Sequence, residues 1–460
     1  MTALDPTIFR AYDIRGIVDT ALSEEAVRGI GQALGSEARL RGETAVAVAR
    51  DGRLSGPRLV DALAEGLMAA GCDVIDVGRT PTPVGYFAAA VLDETNSCVV
   101  VTGSHNPPDY NGLKMVLAGE TIAGDMIQTL YRRIVENDFI EGGGSRRTID
   151  LEPRYLERVV SDVRLDKPLK LVVDCGNGVA GELAPRVLKA LGCELTELFC
   201  DIDGNFPNHH PDPSKPANLQ DLIGAMAETG ADLGLAFDGD GDRVGVVTPR
   251  GKIINADRLL MLWARDVLSR DSGATIIYDV KCSTHVERAI SEAGGKPLMW
   301  KTGHSLIKAK MKETGAALAG EMSGHVFFKE RWYGFDDAIY AAARLLEILA
   351  KDGRDADTVF DELPDSINTP ELNTCMEEGA TFAFIDTLKA EADFGPDARI
   401  NDIDGLRVDF DDCWGLVRSS NTTPCLVIRF EADNEDALAR IQGLFRDRML
   451  AAKPDLDLPF

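Results

Sequence analysis

The chain is short of positive charge: 49 Lys and Arg stand against 75 Asp and Glu in 460 residues, a formal net charge of −26. Nucleic acid and anionic membrane are thereby excluded as main partners, because both would be repelled. No apolar run approaches the ~20 residues of a membrane span. Met1 to Asp13 lacks a basic stretch followed by an apolar core, so no secretory signal is expected. The nine cysteines (Cys72, Cys98, Cys175, Cys193, Cys200, Cys282, Cys375, Cys413 and Cys425) are odd in number and widely spaced, with no CxxC pair. Neither a zinc site nor a disulfide framework is expected; small, mostly apolar neighbours predict buried thiols in a reducing cytoplasm. Low-complexity segments and short-period repeats are absent. What remains is 45% hydrophobic and 27% charged, which is globular composition. At roughly 100–200 residues per domain, the length predicts three or four domains. Any anionic substrate must be held by a local basic cluster working against the overall field.

Most of the chain alternates strand and helix signals. Ser23 precedes Glu24 and Glu25, with Val27, Ile30 and Leu34 at helical spacing, the pattern of a capped helix. A β-rich run from Thr44 to Ala49 ends in Asp51-Gly52-Arg53. Leu59, Leu63 and Leu67 predict a helix that stops near Gly71. Ser97 to Val101 reads as a short apolar strand ending abruptly in polar residues. The cycle restarts at Leu169 and again beyond Asp257, and a long amphipathic helix from about Asp337 to Ala350 closes the third unit. Alternation of this kind predicts α/β layers with ligand sites at the carboxyl ends of strands. The last segment differs: a hairpin signal at Asp404-Gly405, alternation at Leu406, Val408 and Phe410, and a terminal helix predict an α+β module with antiparallel strands. Boundaries are expected near 152, 254 and 367, giving domains 1–152, 153–254, 255–367 and 368–460.

Four clusters carry chemistry. Asp238-Gly239-Asp240-Gly241-Asp242-Arg243 follows an apolar strand. Its three carboxylates repel unless a cation joins them, and the glycines let the backbone curl so that all three face one centre. Hard oxygen ligands suit Mg²⁺. An EF-hand is excluded, since its sixth position would be Arg243 and its twelfth Pro249. Thr102-Gly103-Ser104-His105-Asn106-Pro107-Pro108-Asp109-Tyr110-Asn111-Gly112-Leu113-Lys114 places a hydroxyl, an imidazole and an ammonium at a strand end. A lipase-type elbow would need Gly at Thr102 and Asn106; a phosphate ester on Ser104, completing the metal shell and balanced by Lys114, fits better. In Gly320-Glu321-Met322-Ser323-Gly324-His325 the spacing on an extended loop puts Glu321, Ser323 and His325 on one side, suited to sugar hydroxyls. Arg418-Ser419-Ser420-Asn421-Thr422-Thr423 sets a guanidinium among hydroxyls and an amide, a phosphate cradle. Smaller pieces are Tyr12 and Arg15, Lys281, and His304; His209, His210 and His285 read as structural or solvated.

Taken together, these motifs resemble the α-D-phosphohexomutase family, and within it the phosphomannomutase/phosphoglucomutase branch. The resemblance runs in order from Tyr12 to Thr423. It implies three similar mixed α/β domains plus a C-terminal α+β domain around a central cleft. It implies Ser104 as a phosphoserine, with Asp238, Asp240, Asp242 and Ser104 as Mg²⁺ ligands. His105, Lys114 and Arg243 lie beside the phosphoserine, and Glu321, Ser323 and His325 in a sugar-recognition loop. Arg418, Ser420, Asn421 and Thr422 match a loop gripping the distal phosphate, and Tyr12, Arg15, Lys281 and His304 match accessory substrate contacts. The implied reaction interconverts hexose 1-phosphate and 6-phosphate, of mannose or glucose, through a hexose 1,6-bisphosphate that is both intermediate and activator. His325, His304 and Lys114 are candidates for the general base.

Rival readings are a phosphoglucosamine mutase, where Gln would stand at Met322, and a metal-dependent phosphatase with Asp238 as nucleophile. The haloacid-dehalogenase pattern wants Thr or Val after DxDx, whereas this loop continues as Asp240-Gly241-Asp242. A non-catalytic sugar-phosphate sensor is disfavoured because Ser104 and all three aspartates are present. A hinge is expected in the linker near Pro364–Pro370.

Overall fold

The computed structural model describes residues 4–377, 379–420 and 423–460. Four sheets follow one another along the chain. In the first, Cys98–Val101 and Ala45–Arg50 run parallel at the centre, Asp73–Arg79 extends the parallel side, and Tyr110–Leu117 turns back antiparallel beside Cys98–Val101. In the second, Leu233–Phe237 lies parallel to Lys170–Asp174 and antiparallel to Val244–Val247. In the third, Leu318–Gly320 lies parallel to Thr275–Asp279 and antiparallel to Val326–Phe328. The fourth is antiparallel throughout, with Cys413–Ser419 against Cys425–Ala432 at its centre. All four chemistry-bearing segments therefore join a buried strand to its antiparallel neighbour. The alternation of strands and helices predicted the first three sheets, and the Asp404-Gly405 turn lies between Arg399–Asn401 and Leu406–Asp409 as the hairpin signal required.

Local signals act where they were read. Ser23 Oγ accepts from Ala26 N at 3.2 Å, capping the helix Glu24–Leu40. The helix Ala338–Asp352 departs from expectation. An amphipathic helix should keep one wet face, yet Ala338 to Leu346 are buried without interruption. The helix lies inside the molecule, packing on Ala180–Ala190 of the second module and on Ala256–Arg270 of its own. Arg344, fully buried on it, is answered by Glu330, Asp266 and the Tyr340 hydroxyl. One apolar core spans the first three modules, whereas the fourth has its own core around Phe430, Ile441 and Phe445.

The cysteines also depart from expectation. Cys375 and Cys425 form a disulfide, because Leu372–Cys375 pairs with Cys425–Ala432 in a register that sets the two residues directly opposite. A separation of 50 residues hides that register from the sequence. The other seven are free thiols, all but Cys200 buried. Among the described residues, no helix is long and apolar enough to cross a membrane.

Candidate active site

The Asp238–Arg243 loop curls as its glycines allow. A Cβ on Gly239 would stand 2.4 Å from Ser104 O, and Gly241 sits at φ +77°. Asp238 Oδ1 accepts from the backbone N–H groups of Gly241, Asp242 and Arg243 at 3.0–3.1 Å, which pins the curl. All three aspartates are fully buried. Ser104, at φ +49°, occupies a backbone region that costs a non-glycine residue energy. Its Oγ donates to Asp238 Oδ2 at 3.2 Å, across a sequence separation of 134 residues.

The first module closes over this loop. Lys114 Nζ donates to Asp240 Oδ2 at 2.8 Å and to Asp242 Oδ2, while Thr82 and Thr102 hydroxyls donate to Asp240 Oδ2 at 2.6 and 3.0 Å. Burial alone would push the Lys114 ammonium down, but Asp240 and Asp242 hold it above its ordinary value. Burial and the neighbouring Asp240 push Asp238 and Asp242 up. The same burial on Asp240 is overcome by Lys114, which keeps that carboxyl ionised. The Lys114 ammonium and the Arg243 guanidinium, 4.0 Å from Asp238, do not together neutralise three carboxylates. Among the described residues, Asp240 Oδ1 and Asp242 Oδ1 are buried without a hydrogen-bond partner, and the three side chains bring oxygens within 4.8 Å of one another. Orphaned anionic oxygens converging in this way fit a hard divalent cation.

A cleft of about 350 Å³ lies over this base, walled by all four modules. Tyr12, Arg15, Ser104, His105 and Lys114 line it from the first module, Arg243 from the second, and Lys281, His304, Glu321, Ser323 and His325 from the third. Arg418 and Ser420 line it from the fourth, whereas Asn421 and Thr422 lie outside the described residues. The segment at Glu321 is a tight turn rather than an extended loop: Gly324 N donates to Glu321 O at 3.0 Å and Gly324 sits at φ +98°. Glu321, Ser323 and His325 still reach the cleft, because the hairpin tip itself faces it. Glu321 accepts from Gly303 N at 2.6 Å. His325 Nε2 accepts from Arg243 Nε at 3.0 Å, and its Nδ1 lies 3.4 Å from Asp336 and 3.5 Å from Asp242. His304 packs edge-on to Tyr12, and burial pushes its imidazole well below the usual range. Burial pushes His105 down to about 3 despite its bond to Asp212 at 3.2 Å. The cleft cations carry their own carboxylates: Lys281 bonds Glu371 at 2.6 Å, and Arg418 Nε bonds Asp404 at 2.9 Å while its Nη2 has no partner among the described residues.

Family models for phosphoglucomutase/phosphomannomutase match the chain in order. The alpha/beta/alpha domains I, II and III match residues 6–141, 153–251 and 255–367, and the C-terminal domain matches 371–448. The chain belongs to the phosphoglucomutase/phosphomannomutase family. It is 59% identical over 457 residues to the phosphomannomutase/phosphoglucomutase of Pseudomonas aeruginosa, covering 99% of this chain and 98% of that one. With the phosphoglucomutase of Neisseria gonorrhoeae it shares 51% identity over 462 residues and the full length of both. A crystal structure of a phosphoglucomutase/phosphomannomutase family protein from Burkholderia thailandensis matches with TM-score 0.95 at 60% identity, over 99% of this chain and all of that one.

In this phosphoglucomutase/phosphomannomutase family member, four residues that the motifs left out support the site. Arg53 donates to the carbonyls of Ser104, Asn106 and Tyr110, bracing the loop that holds Ser104. Asp51 accepts from Thr102 Oγ1 and Gly103 N. Both stand in the Asp51-Gly52-Arg53 strand end noted above, so a polar, glycine-bearing strand end was the available signal. Asp212 and Asp336 carry no such signal. Each meets its histidine only through tertiary packing.

Proposed function

We propose that the protein is a phosphohexomutase, an isomerase that interconverts the 1-phosphate and 6-phosphate of mannose, glucose or both in the cytoplasm. The reaction runs through a phosphorylated Ser104 and a hexose 1,6-bisphosphate. The contact between Ser104 Oγ and Asp238 Oδ2 at 3.2 Å supports this reading best, because it joins a hydroxyl and a carboxylate loop from separate modules at the base of one cleft. Family membership and full-length relatives that carry these names support it as well.

Mg²⁺ held by Asp238, Asp240, Asp242 and an oxygen on Ser104 would neutralise charge developing on the transferred phosphoryl group. The chain's own residues do the rest. Arg53 and the backbone at Ser104 hold the Oγ in place. Lys114, bonded to Asp240 and Asp242, places a cation at the base beside the transferred group. Arg243 donates to His325 Nε2, so the neutral ring carries its hydrogen on Nδ1, beside Asp336 and Asp242. That leaves Nε2 as a lone pair, which takes the attacking hydroxyl's proton once a phosphate draws Arg243 away from it. His304 stays neutral and orders Tyr12. Glu321 and Ser323 bond sugar hydroxyls, and Tyr12, Arg15 and Lys281 add contacts. Arg418, through an Nη2 that no described residue occupies, grips the distal phosphate with Ser420, Asn421 and Thr422. The bisphosphate reorients within the cleft and returns its other phosphate to Ser104.

Intact-mass analysis and peptide mapping test this directly. A phosphate is expected on the Ser104 peptide and is absent from Ser104→Ala. Mutase turnover should lag and be rescued by a trace of glucose 1,6-bisphosphate. Release of inorganic phosphate without the bisphosphate, or full activity with unmodified Ser104, would sink the reading.

A further inference from the structure

A second cavity lies apart from the cleft. It has a volume of about 550 Å³ and lies at the seam between the first and third modules. The helix Thr82–Val91 and the hairpin end 116–121 wall one side, and the helix His304–Thr314 with the segment 329–335 wall the other. One face is aromatic. Tyr333 and Phe335 hold their rings nearly parallel, at 4° and 6.0 Å, and Phe335 leans on Tyr86 at 5.7 Å. Tyr333 is among the few large apolar side chains left exposed.

The charges around this face are unbalanced in a particular way. Two glutamates line the cavity, and each is answered by a cation outside its lining: Glu120 by Arg41 at 3.1 Å, Glu313 by Lys310 at 2.6 Å. Lys312 and Lys329 at the mouth have no carboxylate within ion-pair distance among the described residues, and Lys312 Nζ donates to the Gly119 carbonyl at 3.1 Å. Lys308 lies deeper, 3.8 Å above the Tyr86 ring and bonded to Asp336 at 2.7 Å. On a chain of charge −26, two ammonium groups without a carboxylate partner among the described residues, beside the exposed Tyr333 ring, form a local anion-accepting mouth. Flat rings stack on such a face, and ammonium groups hold phosphates as point charges. The volume falls in the range of small-molecule sites, about 300–1,000 Å³.

We propose that this cavity binds a nucleoside diphosphate, its base against Tyr333 and Phe335 and its phosphates at Lys312 and Lys329. The inference does not depend on the mutase reading. Titration of the full-length protein with the fluorescent analogue mant-ADP, with glucose 6-phosphate at saturating concentration, tests it. Expected is one saturable site from which unlabelled ADP displaces the probe. Kd should rise at least tenfold when Lys312→Glu and Lys329→Glu are combined and several-fold in Tyr333→Ala. Arg418→Ala should leave Kd within twofold. If circular dichroism shows the charge-reversal variant misfolded, Lys312→Ala with Lys329→Ala replaces it, with the same direction expected. Binding that fails to saturate by millimolar probe, that glucose 6-phosphate or Arg418→Ala abolishes, or that the lysine variants leave unchanged overturns the site. Displacement by pyrophosphate as effective as by ADP overturns the nucleoside half of the proposal.

Discussion

The two rims of the cleft are held by different means. At the base, Ser104, Lys114 and the three aspartates are at most 2% exposed, and hydrogen bonds between buried groups join the first and second modules there. At the C-terminal rim, Lys281 and Arg418 face carboxylates that are 33% and 17% exposed, and the fourth module has a core of its own. Arg407 ties that module to the third through the Val280 and Cys282 carbonyls, beside a small apolar cluster of Val280, Trp414 and Leu416. The difference suits the proposed chemistry. Phosphoryl transfer needs reacting atoms held within fractions of an ångström, whereas a rim that grips either end of a sugar must let go and re-form.

The sharpest way to break this comparison is at the base. Ser104→Ala should lower turnover by at least about 10³-fold while changing stability by about 1 kcal/mol. A variant keeping a tenth of its activity would detach the buried rim from the reaction. Lys114→Met leaves the carboxylate cluster without its ammonium, so stability in chelator should fall by about 3–5 kcal/mol. Urea denaturation reads this, and added Mg²⁺ should restore part of the loss. No change in chelator would mean that Lys114 does not hold the cluster together.

Asp337 sharpens the comparison at the seam between the second and third modules. Its carboxyl accepts from the Tyr155 hydroxyl at 2.8 Å and from Trp332 Nε1 at 3.2 Å. Burial without a cation nonetheless raises it from 3.8 to about 7. The folded value lies above the unfolded one, so the stability this group contributes is present below about pH 4 and is lost as pH rises towards 7. Unfolding free energy should fall by something on the order of 4 kcal/mol over that window. Asp337→Asn should flatten the slope; an unchanged slope would place the titration elsewhere. The smallest effect belongs to the open rim. Arg418→Ala should cost about 1.5–3 kcal/mol of sugar-phosphate binding, seen as a raised KM with kcat and Tm little changed. A collapse of kcat instead would give that rim a share in the chemistry.

The strand ends that carry chemistry could be read from the chain because each is a local event. An apolar run stops at Phe237, Val101 or Gly320, and polar or glycine-rich residues follow at once. Gly239 and Gly241 sit where the Asp loop must curl, which alternation with aspartate had signalled. Resemblance then supplied roles for residues such as Lys281 that no local pattern distinguishes from surface. Other features had no local trace. The partner of Cys375 is set by strand register 50 residues away, and the dry faces of Ala338–Asp352 depend on the neighbouring module that covers them. The turn at Glu321 and the pairing of Asp336 with His325 likewise wait on how two strands and a following loop come together.

By itself, the order of residues determined which chemical groups exist, which turns can form and which runs must be buried. Tertiary structure decided which of those groups meet. Asp238 and Ser104 touch because one apolar core spans three modules and presses their loops together, and only that burial leaves Asp240 and Asp242 each with an oxygen that no described residue satisfies.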